Sequence, residues 1–330
     1  NTDDSFTSGS NFATAFGGGA TINVTNVAAA TQFDLDLDNL TVVTTLALTT
    51  GNVGATAVDD HIISTGSAAD SVTVTAAAYA GTAGTSAGSD ITVTTNAGND
   101  TVVVTTDVYT GHATADGGSI AIATGAGDDT ITFGYATLLA QTTSQTVTIT
   151  GGTGADTITK GGGGANANGT AGLAYTLFEV AEGDSTSTAF DNITGFDVAA
   201  AGADLSDQLN FGSATQATIG TLGTETDSGT ILSHTITDGV VGFDDAATYN
   251  ATIIINSANL ADAIAYLATN STDNETFAFI YDSTNNGAAD ATMVYHNGVV
   301  TDSVVQLLAT NTVDALITTN GTGGNDLFIA

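Results

Sequence analysis

A near-repeat along residues 64–158 constrains the fold more than any other feature of this sequence. Each copy has a short turn of Gly, Thr and Ala residues, then an aspartate, one small residue and a β-branched apolar residue. The copies are STGSAADSV (64–72), TTNAGNDTV (94–102), ATGAGDDTI (123–131) and TGGTGADTI (150–158). The aspartates Asp70, Asp100, Asp129 and Asp156 follow one another at steps of 30, 29 and 27 residues. A nearly fixed period of this size predicts a solenoid, in which each repeat forms one coil.

A second strand-like segment precedes three of these turns, at SDITV (89–93), GSIAI (118–122) and QTVTI (145–149). The distance from its apolar residue to the aspartate is nine residues in each case, for example from Ile91 to Asp100. The length varies only on the other side of the coil, in loops such as 76–88 and 105–117. Because loop closure costs little per added residue, a constant length suggests a turn that wraps an ion. We predict a metal-lined edge at the aspartates and a plain edge at Ser89, Gly118 and Gln145.

The apolar residues within the strands keep a period of two, which predicts that they point into a core while threonines point outward. The inward residues are Val72, Val74, Ile91, Val93, Val102, Val104, Ile120, Ile122, Ile131, Phe133, Val147 and Ile149. Lys160 falls at the next inward position. Because an inward lysine is costly to bury, we expect the regular stack to end there.

The whole chain is predicted to be all-β: a parallel β-helix or β-roll with calcium-binding turns, followed by a β-rich C-terminal domain with one short helix. We place an irregular β region at 1–60, the solenoid at 61–160 and the C-terminal domain at 161–330. The Gly/Asn/Ala-rich segment 161–172 is expected to be a turn or hinge. The helix is predicted at 257–269. Its apolar face consists of Leu260, Ile264 and Leu267. Ser257 or Asn256 is predicted to cap its N-terminus.

The charge of the chain restricts its partners. With 35 acidic residues, one Lys and no Arg, the formal charge is −34, which excludes nucleic acid and makes docking on an anionic membrane unfavourable. No apolar run is long enough to insert in a bilayer. So acidic a chain repels itself when compact, and bound divalent cations would relieve that repulsion. Ordinary acidic solubility, in a salty habitat for example, is a compatible alternative.

The repeat resembles the nonapeptide G-G-x-G-x-D-x-U-x of calcium-binding RTX proteins, most closely in GGTGADTIT (151–159). The other copies replace one or more glycines, and Asn166 takes the aspartate's place in a degraded unit. The resemblance implies Ca²⁺ held between coils by aspartates and turn carbonyls. The implied ligands are Asp70, Asp100, Asp128, Asp129, Gly152, Gly154, Asp156 and, in GTGGNDLFI (321–329), Asp326. A metal-free β-helix whose turns use Gly, Thr and Asp is the alternative.

The stretch 173–211 resembles the segment that follows the repeats in serralysin-type and surface-layer RTX proteins. The matching residues are Asp184-Ser185, DNITGFD (191–197) and Gly202-Ala203-Asp204, although Leu205 stands in place of the usual Lys-Ile. The protease zinc motif H-E-x-x-H is absent, so the resemblance covers the non-catalytic part of that family alone.

Three other patterns in the sequence resemble functional sites. The loop DSTNNGAAD (282–290) has calcium-loop spacing, with Asp282, Asn286 and Asp290 as candidate ligands, but Met293 stands where the closing ligand is needed, so a plain hairpin is the alternative. The alternating Asp34, Asp36 and Asp38 are expected to face water rather than an ion. The G-x-S-x-G match at 84–88 lies in a variable loop, which argues against a nucleophile.

These patterns lead us to expect an extracellular, calcium-dependent structural protein that self-assembles at the cell surface, such as a surface-layer or fibre subunit. No catalytic constellation is present, so we expect no enzyme. The alternative is an adhesin segment, or the secretion and folding module of a larger RTX protein. An adhesin should present aromatics or flat ranks of threonine, and no such rank is evident in the sequence. The end DLFIA (326–330) resembles a type I secretion signal or forms one more repeat, and both imply export.

Overall fold

The computed structural model describes residues 4–7, 19–27, 33–50, 61–76, 90–106, 119–135, 145–161, 174–198, 207–212, 214–216, 227–309, 313, 315–317 and 326–329. The fold is nearly all-β, with a β-solenoid of about six turns and a β-rich C-terminal region that holds one short helix. This confirms the predicted all-β solenoid and the β-rich C-terminal region with one short helix, and the calcium-binding turns stay a prediction. The chain divides into two compact units, Asn1–Leu177 and Phe178–Ala330.

In the first unit, each coil gives one strand to each of two parallel sheets. Sheet 1 consists of β1 (Asp4–Thr7), β3 (Phe33–Asp36), β5 (His61–Ser64), β7 (Ile91–Thr94), β9 (Ser119–Ala126) and β11 (Gln145–Thr153). Sheet 2 consists of β2 (Ala20–Val27), β4 (Thr44–Thr50), β6 (Ser71–Ala76), β8 (Thr101–Thr106), β10 (Thr130–Tyr135) and β12 (Thr157–Gly161). Neighbours in each sheet pair in parallel, in the order given.

The register of these strands explains the apolar pattern. Val72, Val102, Ile131 and Ile158 lie side by side in sheet 2, and all twelve residues predicted to point inward are at most 3% exposed. Lys160 also points inward, beside Phe133, and is 6% exposed. Its strand nevertheless continues in register to Gly161, so Lys160 does not interrupt the pairing as the sequence suggested.

The described strands before residue 60 extend the same two sheets. Leu46 and Leu48 of β4 lie beside Val72 and Val74 of β6, and Leu35 of β3 lies beside Ile63 of β5. The boundary predicted at residue 60 therefore does not coincide with a break in either sheet. The sequence hid these coils because they lack the aspartate turn.

The second unit is built around a mixed sheet in the order β17-β18-β20-β21-β22-β14, with β16 and β19 paired to β20. The mixed sheet contains β14 (Asp191–Thr194), β16 (Thr215–Gln216), β17 (Ser233–Thr237), β18 (Val240–Asp244), β19 (Ile255–Asn256), β20 (Glu275–Asp282), β21 (Ala291–His296) and β22 (Ser303–Leu308). The unit also contains β15 (Gln208–Asn210), β23 (Ala315–Ile317) and β24 (Asp326–Ile329), which lie outside that sheet. Strand β24 pairs in parallel with both β15 and β23. Strand β13 (Ala174–Glu179) crosses the unit boundary.

One helix, α1 (Leu260–Asn270), packs on the core of this unit. Leu260, Ile264 and Leu267 are buried as predicted, together with Ala263 and Tyr266. The predicted cap is wrong, because Asn259 occupies the N-cap position. Asn256 ends β19, and its Oδ1 accepts the N–H of Ala258 instead. In the described part of the chain, no helix is both long enough and apolar enough to span a membrane.

Candidate functional site: a buried aspartate ladder

The turns between sheet 1 and sheet 2 stack directly on one another. The N–H of Gly98 donates to the carbonyl of Ala126 at 2.8 Å, and the N–H of Gly127 donates to that of Thr153 at 2.9 Å. At Gly127 and Gly154 the backbone has φ +141°, and a Cβ there would overlap the carbonyl oxygen of the previous coil. The stacking of the turns therefore requires glycine at these places, whether or not an ion is bound.

The four repeat aspartates form a continuous column, here called the aspartate ladder: Asp70, Asp100, Asp129 and Asp156. In each, Oδ1 accepts the backbone N–H of the equivalent residue one coil earlier. The N···O distances are 2.6 Å from Thr44 to Asp70, 2.6 Å from Asp70 to Asp100, 2.7 Å from Asp100 to Asp129, and 2.8 Å from Asp129 to Asp156. The residues are at most 2% exposed. Four of the sequence-predicted site residues thus come together, in the protein interior.

The second carboxylate oxygen is unsatisfied in three of the ladder residues. Within the described residues, Oδ2 of Asp70, Asp100 and Asp129 has no hydrogen-bond partner. The hydroxyls of Thr65 and Thr95 are close enough to Asp70 and Asp100 to lower their pKa, but no donor completes a hydrogen bond of normal geometry to Oδ2. A buried carboxylate oxygen without a partner is costly, so the ladder needs a neutralising group.

Burial sets the protonation of the ladder. Desolvation raises the pKa of Asp70, Asp100 and Asp129 above the usual value of an aspartate, and the ladder N–H groups oppose this only in part. The charge of Asp100 raises the pKa of both Asp70 and Asp129 further. At neutral pH the ladder is therefore a column of mutually repelling buried charges, unless protons or cations neutralise it.

The raised pKa values predict that, without divalent cations, the first unit becomes more stable as the pH falls from 7 towards 4. The folded state has the higher pKa and so binds more protons than the unfolded state. The free energy of unfolding therefore rises as the pH falls through the folded-state pKa, and the gain is complete below the unfolded-state pKa. The β signal in circular dichroism from pH 7 to pH 4 in calcium-free buffer, with urea unfolding at each pH where the chain is folded, measures this change.

The control for this prediction distinguishes the pH dependence that comes from the ladder from that of the many surface carboxylates. A variant with Asp70→Asn, Asp100→Asn and Asp129→Asn should lose most of the pH dependence. A variant with Asp34→Asn and Asp36→Asn, on the half-buried outer side of β3, should keep it. Equal pH dependence in the two variants would contradict the assignment to the ladder.

The remaining predicted ligands of the repeats lie beside the ladder rather than in it. Asp128 is exposed, and its Oδ1 accepts the N–H of Ala155 at 3.0 Å. Gly152 and Gly154 belong to the stacked turn, both with positive φ. Asp326 begins β24, beside Ala315. Ser86, Ser89, Gly118, Asn166 and the segment 162–172 lie outside the described residues.

The second predicted calcium loop, 282–290, connects the antiparallel strands β20 and β21. Asp282 accepts the N–H of Asn286 at 3.1 Å and that of Gly287 at 2.6 Å, and Asp290 accepts the N–H of Ser283 at 2.8 Å. Burial raises the pKa of Asp282, but these N–H groups outweigh it, so the pKa lies below the usual value. This hydrogen-bonding agrees with the plain hairpin that the sequence left open.

The outward face of sheet 2 carries a feature that the sequence analysis missed. The register aligns the first outward residues of its six strands in one row: Thr21, Thr45, Ser71, Thr101, Thr130 and Thr157. No flat rank of threonines was expected from the sequence, and this expectation is therefore wrong. The rank is hidden in the sequence because loops of different length separate its members, and only strand register brings them together.

The geometry defines a class: this chain is a β-solenoid protein with an internal aspartate ladder. No protein-family model, no curated protein and no solved structure matches it. In the regions that the structure describes, no three or more His, Asp or Glu side chains converge where they could hold one metal ion.

Proposed function

We propose that this protein is an extracellular structural protein whose solenoid is ordered by calcium and whose copies assemble into a sheet or filament at the cell surface. The observation that carries the proposal is the aspartate ladder, in which Oδ2 of Asp70, Asp100 and Asp129 is buried and has no hydrogen-bond partner among the described residues. The resemblance of its turns to the RTX nonapeptide favours Ca²⁺ over other neutralising groups.

The ladder fits a calcium ion in charge and in ligand chemistry. Calcium takes six to eight hard oxygen ligands, and carboxylates supply both the oxygens and the compensating charge. Asp70, Asp100, Asp129 and Asp156 would hold the ions between successive coils. Because no three acidic side chains converge in the described regions, neutral oxygens must complete each site. The hydroxyl of Thr124, which lies beside Asp129, could supply one such oxygen.

Calcium would then couple folding to export. At low cytosolic calcium, repulsion along the ladder and the formal charge of −34 favour an open chain. Outside the cell, binding to the folded state alone adds to its stability, by about 2.7 kcal/mol for one site at a calcium concentration 100 times its Kd. The proposal includes no catalytic step.

The test of calcium coupling is the β signal in circular dichroism at neutral pH. We expect a chelator to remove most of it and calcium to restore it, because several ladder charges then lose their compensation together. Sodium chloride at matched ionic strength is the control and should not replace calcium. Salt screens the repulsion between exposed charges far more than the repulsion between buried ones. A chain that is equally folded in excess chelator would contradict the proposal.

A binding module, such as an adhesin segment, is the second candidate function. The threonine rank on sheet 2 favours it, because an adhesin needs a regular ligand face. Electron microscopy of the purified protein with and without calcium separates the two candidates. Ordered sheets or filaments of the protein alone favour the structural subunit, whereas a folded monomer at high concentration favours the module.

A further inference from the structure

We propose that the outward face of sheet 2 is the surface through which two copies of this chain pack against each other. This inference rests on the proposed self-assembly and names the surface that performs it. The surface is here called the threonine face, and it comprises the outward side chains of β2, β4, β6, β8, β10 and β12.

The threonine face is a regular grid. Beside the first rank, a second rank contains Thr73, Thr132 and Thr159, and a third contains Thr49, Thr75 and Thr105. The second rank also holds Asn23, Ala47 and Val103, and Gly134 follows Thr105 in the third, so only the first rank has a hydroxyl on every strand. Neighbouring strands lie about 4.8 Å apart, so hydroxyls recur at that spacing along the first rank.

The hydroxyls of the first rank are available to an outside partner. Five of its six members are exposed, and Ser71 is half-buried. Within the described residues, none of these six hydroxyls makes a hydrogen bond. Each can both donate and accept, so two facing ranks can pair with each other.

The threonine face also carries no charge in a chain of formal charge −34. None of the six strands contains an acidic residue, and their one basic residue, Lys160, points inward. Sheet 1 differs, because β3 carries Asp34 and Asp36 on its outer side. Two copies can therefore meet at the threonine face without bringing carboxylates together, which would otherwise oppose association.

A second copy fits this grid better than an irregular partner does. A partner must repeat with the spacing of the strands to engage all six coils, and another copy of the same solenoid has that spacing by construction. A two-fold axis that lies in the plane of the interface turns one copy to face the other and makes identical patches self-complementary. Facing threonine ranks then supply methyl contacts and hydroxyl hydrogen bonds without burying a charge.

The size of the face predicts a weak pairwise contact. Six strands at ~4.8 Å and about five residues of ~3.3 Å give roughly 480 Å² per copy. Two copies would bury about 950 Å², which is below the ~1,200 Å² of a standard stable interface. The contact should therefore hold only where many subunits join and each is held by more than one neighbour.

The experiment places charge on the face and compares it with matched charge elsewhere. Thr101→Glu with Thr130→Glu changes the first rank, and Thr92→Glu with Thr148→Glu makes the same change on the outer side of sheet 1. Sedimentation and electron microscopy are performed at fixed calcium and ionic strength, and circular dichroism checks folding. We expect the concentration for assembly to rise at least about tenfold for the first pair, because like charges that face each other oppose association, and to stay near wild type for the second.

Two further variants keep the test decisive. Thr101→Ser with Thr130→Ser retains the hydroxyls and should assemble like wild type. Thr157→Glu, at an exposed site in β12, gives the same comparison if the double variant does not fold.

Assembly of the Thr101/Thr130 glutamate variant at the wild-type concentration would overturn the inference and leave the proposed function standing. A wild-type protein that never assembles would refute the proposed function itself. A third outcome is that wild type adsorbs to crystalline cellulose or ice, whereas the Thr101/Thr130 glutamate variant does not adsorb but assembles normally. The threonine face would then bind that surface instead of a second copy, and the inference would be wrong.

Discussion

Replacing Gly127 with alanine should destabilise the solenoid by roughly 3 kcal/mol or more, even with saturating calcium. Gly127 has φ +141°, and a Cβ would overlap the carbonyl oxygen of Gly98 and lie 3.0 Å from Oδ1 of Asn99. The obstacle is backbone that cannot yield, because Gly98 itself donates to the carbonyl of Ala126 in the stacked turn. Urea unfolding followed by circular dichroism measures the loss.

Gly134→Ala is the matched control. This glycine lies in β10, its φ is outside the left-handed region, and a Cβ would meet only ordinary contacts, the nearest being the carbonyl oxygen of Gly161 at 3.5 Å. We expect a change of about 0.5–1 kcal/mol at most, in either direction. If the two variants lost equal free energy of unfolding, close stacking of the turns would not be the reason that position 127 requires glycine.

The second large effect concerns Asp129, where two substitutions should act in opposite ways. Asp129→Ala removes the acceptor of the Asp100 N–H, and leaving this buried donor unpaired should cost about 1–3 kcal/mol. Asp129→Asn keeps an Oδ1 acceptor but removes the buried charge. In calcium-free buffer at pH 7, the asparagine variant should be as stable as wild type or more stable, yet it should gain less from calcium.

Calcium titrations of unfolding for both variants test this pair of expectations. Asp128→Ala serves as the control, because Asp128 is exposed beside the ladder and its Oδ1 accepts the N–H of Ala155. Its calcium midpoint should change less than that of Asp129→Asn. An asparagine variant with an unchanged midpoint would show that calcium does not use the ladder.

Much of the solenoid could be predicted from local pattern alone. The aspartate turns and the period-two strands placed the core correctly, from Val72 to Ile149, because a buried face must alternate with a solvent-facing one at every second residue. The coils before residue 60 could not be found in this way. Thr44 takes the place of the aspartate there, so its turn carries no motif, and only the pairing of β4 with β6 reveals it.

The ladder itself was predicted in membership but not in geometry. The spacing grouped Asp70, Asp100, Asp129 and Asp156, and a metal-lined edge was the expected consequence. The hydrogen bond that each aspartate accepts from the backbone N–H of the preceding coil depends on the rise between coils, which no single repeat encodes. For Asp282 and Asp290, the turn hydrogen bonds likewise depend on a loop conformation that spacing alone does not define.

The sequence by itself determined the period, the inward residues and the four aspartates, because each is a property of neighbours along the chain. The tertiary structure alone decided the burial of the ladder carboxylates and the alignment of the threonine face. Both depend on residues about one coil apart in sequence, such as Thr101 and Thr130, being brought side by side by parallel pairing. The loops between them vary in length, so the contact is fixed by backbone hydrogen bonds between strands and not by any constant distance along the sequence.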